Sequence, residues 1–241
     1  MHFNLRTSFR SLIGLLLVCF TAVAALAQAP QPSCGEIRLN RPGQYGPFDY
    51  RTDKSKLEIV EEYHFTPAVE ALIRGNTSST PGGDLSYTLG TFPNHHRALL
   101  AMVRYGEKMK SPQPPEARYS VDCYFVRALR FRPDDSIVRM IYATYLSKSG
   151  RAPQAIQQLE QATASAGDNA FSHYNIGLIY FDLKDYDRAL HQAHKAIELG
   201  FRQTALRDQL QTVGKWTEPS DKPVIAPMTA PIRESTDSTK Q

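Results

Sequence analysis

Displacing the sequence against itself by 34 residues lays small residues on small ones: Ala143 on Gly177, Ala155 on Ala189 and Ala162 on Ala196. Larger positions keep the same register, with Ile156 on Leu190, Leu146 on Tyr180 and Asp135 on Asn169. One displacement earlier, Ala128 meets Ala162 and Phe125 meets Leu159. A chain with a fixed period of this size is an array of like units. None can bury its apolar face alone, so about three must stack and the ends must be closed by atypical segments. After Pro93, apolar residues recur at helical steps over 94–109, 115–131, 136–149, 153–165, 170–183, 186–199 and 203–213, which makes two helices per period. The three prolines between Ser111 and Pro115 interrupt any helix there.

The most regular unit is 170–203, AFSHYNIGLIYFDLKDYDRALHQAHKAIELGFRQ. Gly177 and Ala189 allow its two helices to approach closely, Tyr180 and Leu183 fill the space beside them, and Ala196 leaves room for the next helix. Asp185 suits the N-cap of the second helix and Gly200 its C-terminal stop. With Asn175-Ile176-Gly177, Tyr180, Leu183, Asp185-Tyr186, Ala189-Leu190 and Ala196 in these places, the unit resembles the tetratricopeptide repeat. The unit at 136–169 keeps Ala143, Ala155 and Ala162 and opens its second helix with Pro153, but lacks the usual tyrosines. The first unit keeps Ala128-Leu129 and Pro133, while its first helix, NHHRALLAMVRYGEKM, is displaced upstream by the proline insertion.

The resemblance covers 94–216. It implies a mainly α fold: a short right-handed array of antiparallel helix pairs, closed at one end by a small mixed N-terminal segment. A helix carrying Leu206, Leu210 and Val213, with Trp216 packed at its end, closes the other. In this family the first helix of each unit lines a groove that holds peptides. Carried over, the groove residues are Ile137, Met140, Thr144 and Ser147 from one unit, and Phe171, Tyr174, Asn175, Leu178 and Phe181 from the next. Met140 and Tyr174 stand where a carboxylate clamp wants basic residues. The implied partner is therefore a hydrophobic or amphipathic protein segment; the alternative is that the N-terminal segment fills the groove.

Ahead of the array, Arg6 and Arg10 precede an apolar run from Leu12 to Leu26 and then Ala25-Leu26-Ala27, with small residues at the last and third-last positions. This is the pattern of a signal peptide cleaved after Ala27, since the 15-residue run falls short of the roughly 20 residues that span a bilayer. The expectation is an exported, periplasmic protein without a membrane span in its mature chain; an uncleaved anchor is the alternative. Val18 before Cys19 argues against lipidation. Cleavage leaves Cys34 and Cys123, an even pair in an oxidising compartment, read as a disulfide or as two separate thiols. The parts are then a signal segment 1–27, a linker and mixed cap 28–93, the array 94–216 and a disordered, Pro/Ser/Thr-rich tail 217–241. Within the cap, Leu57 to Tyr63 reads as a short strand, Thr66-Pro67 opens a helix that stops at Gly75, and Pro81-Gly82-Gly83-Asp84 reads as a turn. The stretch Tyr87 to Arg97 joins the cap to the array with Asn94 as N-cap.

A net charge of +4, two units of it from Arg6 and Arg10, leaves about +2 without any basic run, so no nucleic-acid partner is expected. The seven histidines lack the ligand spacings of a metal site, HExxH included, and no cofactor is expected. Neither a nucleophile elbow nor a phosphate-binding glycine loop is present, so the chain reads as a non-enzyme. The competing readings are an enzyme, or a metal or small-molecule binder, that uses the 36–97 segment around His64, His95 and His96, and a structural subunit of an envelope assembly that uses the outer surface and not the groove.

Overall fold

The computed structural model describes residues 34–37 and 45–219. The expected signal segment 1–27 and most of the expected disordered tail 217–241 lie outside these. Ten helices and no strand occur among the described residues: α1 Lys54–His64, α2 Pro67–Glu70, α3 Pro81–Thr91, α4 His96–Met109, α5 Val121–Phe131, α6 Ser136–Lys148, α7 Ala152–Ala166, α8 Ala170–Asp182, α9 Tyr186–Glu198 and α10 Ala205–Thr212.

The two predicted hairpins are α6–α7 and α8–α9, stacked side by side through α7–α8 and α6–α8 contacts, with α10 against both α8 and α9. The residues that match under the 34-residue displacement are the ones that pack. Ala143, Ala155, Ala162 and Ala189 are fully buried, and Ala196 is almost so. Asp135, Asn169 and Asp185 each accept a backbone N–H three residues on, at Val138, Ser172 and Arg188, and so start α6, α8 and α9. Gly177 is required by approach: a Cβ there would sit 2.5 Å from Leu206 Cδ2 and 3.2 Å from Gln192 Cβ. One core runs through α6 to α10 around Leu146, Leu159, Ile176 and Tyr180, and a second through α3 to α6 around Leu85, Leu89, Leu99, Met102 and Phe125.

The cap departs from the reading of its sequence. Residues 57–63 belong to helix α1 and not to a strand: Lys54, Lys56, Glu58, Glu61 and Glu62 are helix formers with pairable charges four apart, and only Val60 is buried. Thr66 caps α2 as expected, accepting from Val69 N, but the helix ends after one turn and Leu72 takes a positive φ of 59°. Pro81-Gly82-Gly83-Asp84 is the first turn of α3. Gly82 lacks a side chain because the proline loop returns over it: a Cβ would lie 2.0 Å from Pro115 O. The regular elements of the described cap are all helices. At the other end α10 stops at Thr212, one residue before the predicted Val213, which stays 40% exposed, while Leu206 and Leu210 are buried.

The N-cap of α4 is His95, whose Nδ1 accepts from Ala98 N at 3.1 Å. Asn94, predicted for that role, is fully buried and bridges two carboxylates: its Nδ2 donates to Asp49 Oδ1 at 2.7 Å and to Asp135 Oδ2 at 2.9 Å, and its Oδ1 accepts from Tyr50 N at 3.0 Å. An amide with both donor and acceptor capacity satisfies this position, where a cap would use only the oxygen. Arg51, Arg132 and His96 surround the two carboxylates. Burial pushes the Asp49 carboxyl up, but hydrogen bonds from Arg51 and Asn94 reverse this and hold it well below the usual carboxylate range. Cys34 and Cys123 are joined by a disulfide with their Cα atoms 5.0 Å apart. It seats residues 34–37 on α5, where Arg127 Nη1 donates to Cys34 O at 3.1 Å and Glu36 O at 3.2 Å.

Candidate partner-binding face

Helices α4, α6, α8 and α10 pack successively side by side, so the first helices of the units form one continuous face. The predicted groove residues fall on α6 and α8 at different depths. Met140 and Tyr174 are buried, 6% and 7% exposed, and belong to the core beneath the face. Tyr174 packs against Phe201 from the loop before α10, with ring centroids 4.6 Å apart and the planes tilted by 40°. Ile137, Thr144, Ser147, Asn175, Leu178 and Phe181 are half-buried, and Phe171 is 55% exposed. Thr144 donates to Met140 O at 3.0 Å, and Asn175 Nδ2 donates to Phe171 O at 2.7 Å. Both donors are thus turned back on their own helices, beside the apolar Ile137, Leu178 and Phe181. Phe181 lies against Tyr186, with centroids 5.3 Å apart. The structure brings the α6 and α8 sets onto neighbouring helices, but two of the nine side chains support the face without presenting themselves on it.

A third contribution was not read from the sequence. On α4, Leu100 is 44% exposed, and Glu107 follows it two turns on at the same side. Glu107 Oε1 pairs with Lys148 Nζ of α6 at 3.7 Å, which aligns the exposed sides of these two helices. The face therefore starts at α4. The available signal was an exposed leucine between Arg97 and Arg104 on an otherwise amphipathic helix, but the broken register of the first unit concealed it.

α1 to α3 pack on one another and, through α2 and α3, on α4. Arg97 pairs with Glu61 and Glu70, Arg104 reaches Glu70 O, and Lys108 Nζ donates to Leu72 O at 2.8 Å. The described cap thus lies along the outer flank of α4.

The histidines of the competing reading are each engaged separately. His64 Nδ1 donates to the buried Asp84 at 3.0 Å and its ring stacks on Tyr87, with centroids 3.7 Å apart. Asp84 also accepts from the N–H groups of Asn76, Thr77 and Ser78. Burial pushes its carboxyl up, but hydrogen bonds from the Ser78 and Thr77 hydroxyls, and after them the Asn76 N–H and His64, outweigh this and hold it well below the usual range. His95 has no exposed surface; its Nδ1 is committed to the cap, so Nε2 carries the proton and donates to Glu61 at 3.1 Å. Glu61 alone would favour an imidazolium, yet burial and the neighbouring Arg97 dominate, lowering the His95 pKa to about 3. His96 Nε2 bonds Asp135 at 3.0 Å. Among the described residues no three His, Cys, Asp or Glu side chains are grouped to hold a metal ion. No helix among them is long and apolar enough to cross a membrane.

Residues 170–200, the α8–α9 hairpin, match the tetratricopeptide repeat family model. No curated protein and no solved structure matches the chain. The helix pairs and the alanine and glycine contacts at the 34-residue spacing agree with this match: residues 170–200 form a tetratricopeptide repeat within a helical array of the same kind.

Proposed function

We propose that the protein is an exported, non-catalytic scaffold that holds a hydrophobic or amphipathic segment of a partner protein across α4, α6 and α8. Tetratricopeptide repeats are protein-interaction scaffolds, and the supporting observation here is the surface left over after folding. Leu100 of α4 stands 44% exposed, Ile137, Thr144, Leu178 and Phe181 of α6 and α8 are half-buried, and the Thr144 hydroxyl and Asn175 Nδ2 donate to their own helices. Such a face gains by covering apolar area at about 25 cal/mol per Å² and offers few directional bonds. It suits an apolar helix or strand better than a charged peptide end. The disulfide fits an oxidising compartment, and the basic-then-apolar start of the sequence fits export.

Proximity labelling in the native host, comparing the natural chain with a Leu100→Asp, Thr144→Arg variant, tests the face. The variant should keep its helical circular dichroism and lose at least one protein labelled by the natural chain; an identical set of labelled proteins would sink the reading. Export has its own measurement: mass spectrometry of host-derived protein should place its first residue at Gln28 and find no free thiol at Cys34 or Cys123. A folded protein still beginning at Met1 would refute cleavage.

A further inference from the structure

A shallow apolar patch ends the array at α8 to α10. Phe171 is 55% exposed and Ile197 40%, and the Phe201 ring lies 6.2 Å from that of Phe171. Ile197, Phe201, Tyr174, Leu206 and Arg207 line a cavity of only about 10 Å³, so an occupant must lie across the patch and not insert into it.

The chain itself leads there. After α10, Gly214 adopts φ 68° and reverses the backbone. Trp216 then sits edge-on to His194 of α9 at 5.0 Å, with the Arg207 guanidinium 5.3 Å above its ring. His194 Nε2 donates to Thr217 O at 2.8 Å, and Glu218 Oε1 accepts from Arg207 Nη2 at 3.0 Å and Trp216 Nε1 at 3.1 Å. Residues 216–218 thus run back along the seam of α9 and α10, from the last turn of α10 toward its first. Arg207, which holds Glu218, also lines the patch cavity, and Ile197 lies one turn beyond His194 in the direction of travel.

The sequence that follows is polar through Lys222 and then reads PVIAPMTAPI from Pro223 to Ile232. Val224, Ile225, Met228 and Ile232 are the large apolar side chains after Trp216 in this sequence, and residues 233–241 are polar. The six residues from Glu218 to Val224 can span about 20 Å. Pro223 and Pro227 restrict φ and so reduce the entropy lost when such a segment is held extended. We propose that Val224, Ile225 and Met228 lie across the Phe171–Ile197–Phe201 patch of their own chain. There they cover the apolar end of the array at the first turn of α8.

Hydrogen exchange on the purified full chain, compared with one ending at Pro219, tests this without any partner. Amides in the first turn of α8 and in residues 199–204 should exchange about tenfold or more slowly in the full chain. A photo-crosslinking residue in place of Phe171 should join residues 223–228 of the same chain, in a yield independent of protein concentration. Val224→Asp with Ile225→Asp should abolish both effects while thermal unfolding of the array remains cooperative. Equal exchange in the two chains overturns the proposal. So does a crosslink that joins two chains and grows with concentration, which would make the patch a contact between copies.

Discussion

The two halves of this array are held by different means. From α6 to α9 the units are joined by small side chains at helix contacts, Ala143, Ala155, Gly177 and Ala189, and each helix start carries its own local cap or proline. From residue 45 to α5 the repeat has decayed. There the structure relies on long-range polar clamps: Asp49–Asn94–Asp135, Asp84 with the 76–78 backbone, and a disulfide 89 residues in span. Close packing of small residues is cheap in desolvation and tolerates repetition. Buried carboxylates need every partner in place and so bind one particular arrangement. The comparison teaches that a degenerate repeat end can be kept in an array by covalent and ionic ties once its steric complementarity has been lost.

Removing the disulfide should break the comparison most sharply. An 89-residue separation corresponds, in the loop-entropy view, to about 4–5 kcal/mol as an upper figure. Cys34→Ser with Cys123→Ser, or reduction, should therefore lower the stability of the cap and α5 by up to that amount. Hydrogen exchange should show their amides losing protection while α8 and α9 keep theirs. Equal loss across the whole array would mean that the two halves are one cooperative unit.

A second effect, on the order of 3–5 kcal/mol, is a pH dependence seated at His95. Its pKa falls from 6.5 to about 3 on folding, so the neutral ring is the folded form. This contribution is fully present above about pH 6.5 and is lost progressively as pH falls toward 3, because the unfolded chain takes up the proton first. His95→Asn keeps an N-cap acceptor without a titrating group. Between pH 6.5 and 4.5, above the ordinary carboxylate range, the natural chain should lose stability more steeply than the variant in urea titrations. Parallel curves would remove His95 from the account.

What was legible in the sequence follows the same division. The hairpins α6–α7 and α8–α9 came out within about two residues because their determinants are local: a cap at Asp135, Asn169 or Asp185 and apolar residues at helical spacing. The cap did not. Gly82 reads as a turn residue until the return of Pro115 over it is known, and Asn94 reads as an N-cap until Asp49 and Asp135 are seen to converge on it from 45 and 41 residues away. The helix of 54–64 was missed although its charge pairing was visible. On the candidate face, the resemblance names positions along α6 and α8, but it cannot separate a side chain that lies under a face from one that lies on it. Met140 and Tyr174 are buried because Phe201 and the neighbouring helices reach over them, and that is a matter of tertiary packing.

The smallest predicted effects sharpen the contrast through one substitution made in each half. Alanine favours a helix interior over glycine by about 0.5–1 kcal/mol, so glycine needs a steric reason to persist there. In α8 the reason exists: the Gly177 Cβ would meet Leu206 Cδ2 at 2.5 Å, and Leu206 is only 1% exposed, so it has little room to turn away. Gly177→Ala should lose about 1–2 kcal/mol as α10 is pushed off, and adding Leu206→Ala should worsen this by much less than Leu206→Ala does alone. In α3, Gly90 has nothing within 4 Å of where its Cβ would stand, and its φ is not positive. Gly90→Ala should therefore stabilise by up to about 0.5–1 kcal/mol in denaturant unfolding. Opposite signs at the two glycines would locate tight helix packing in the regular half; a loss at Gly90 as large as that at Gly177 would show that the cap is packed just as closely, and that its clamps add to steric fit where they were taken to replace it.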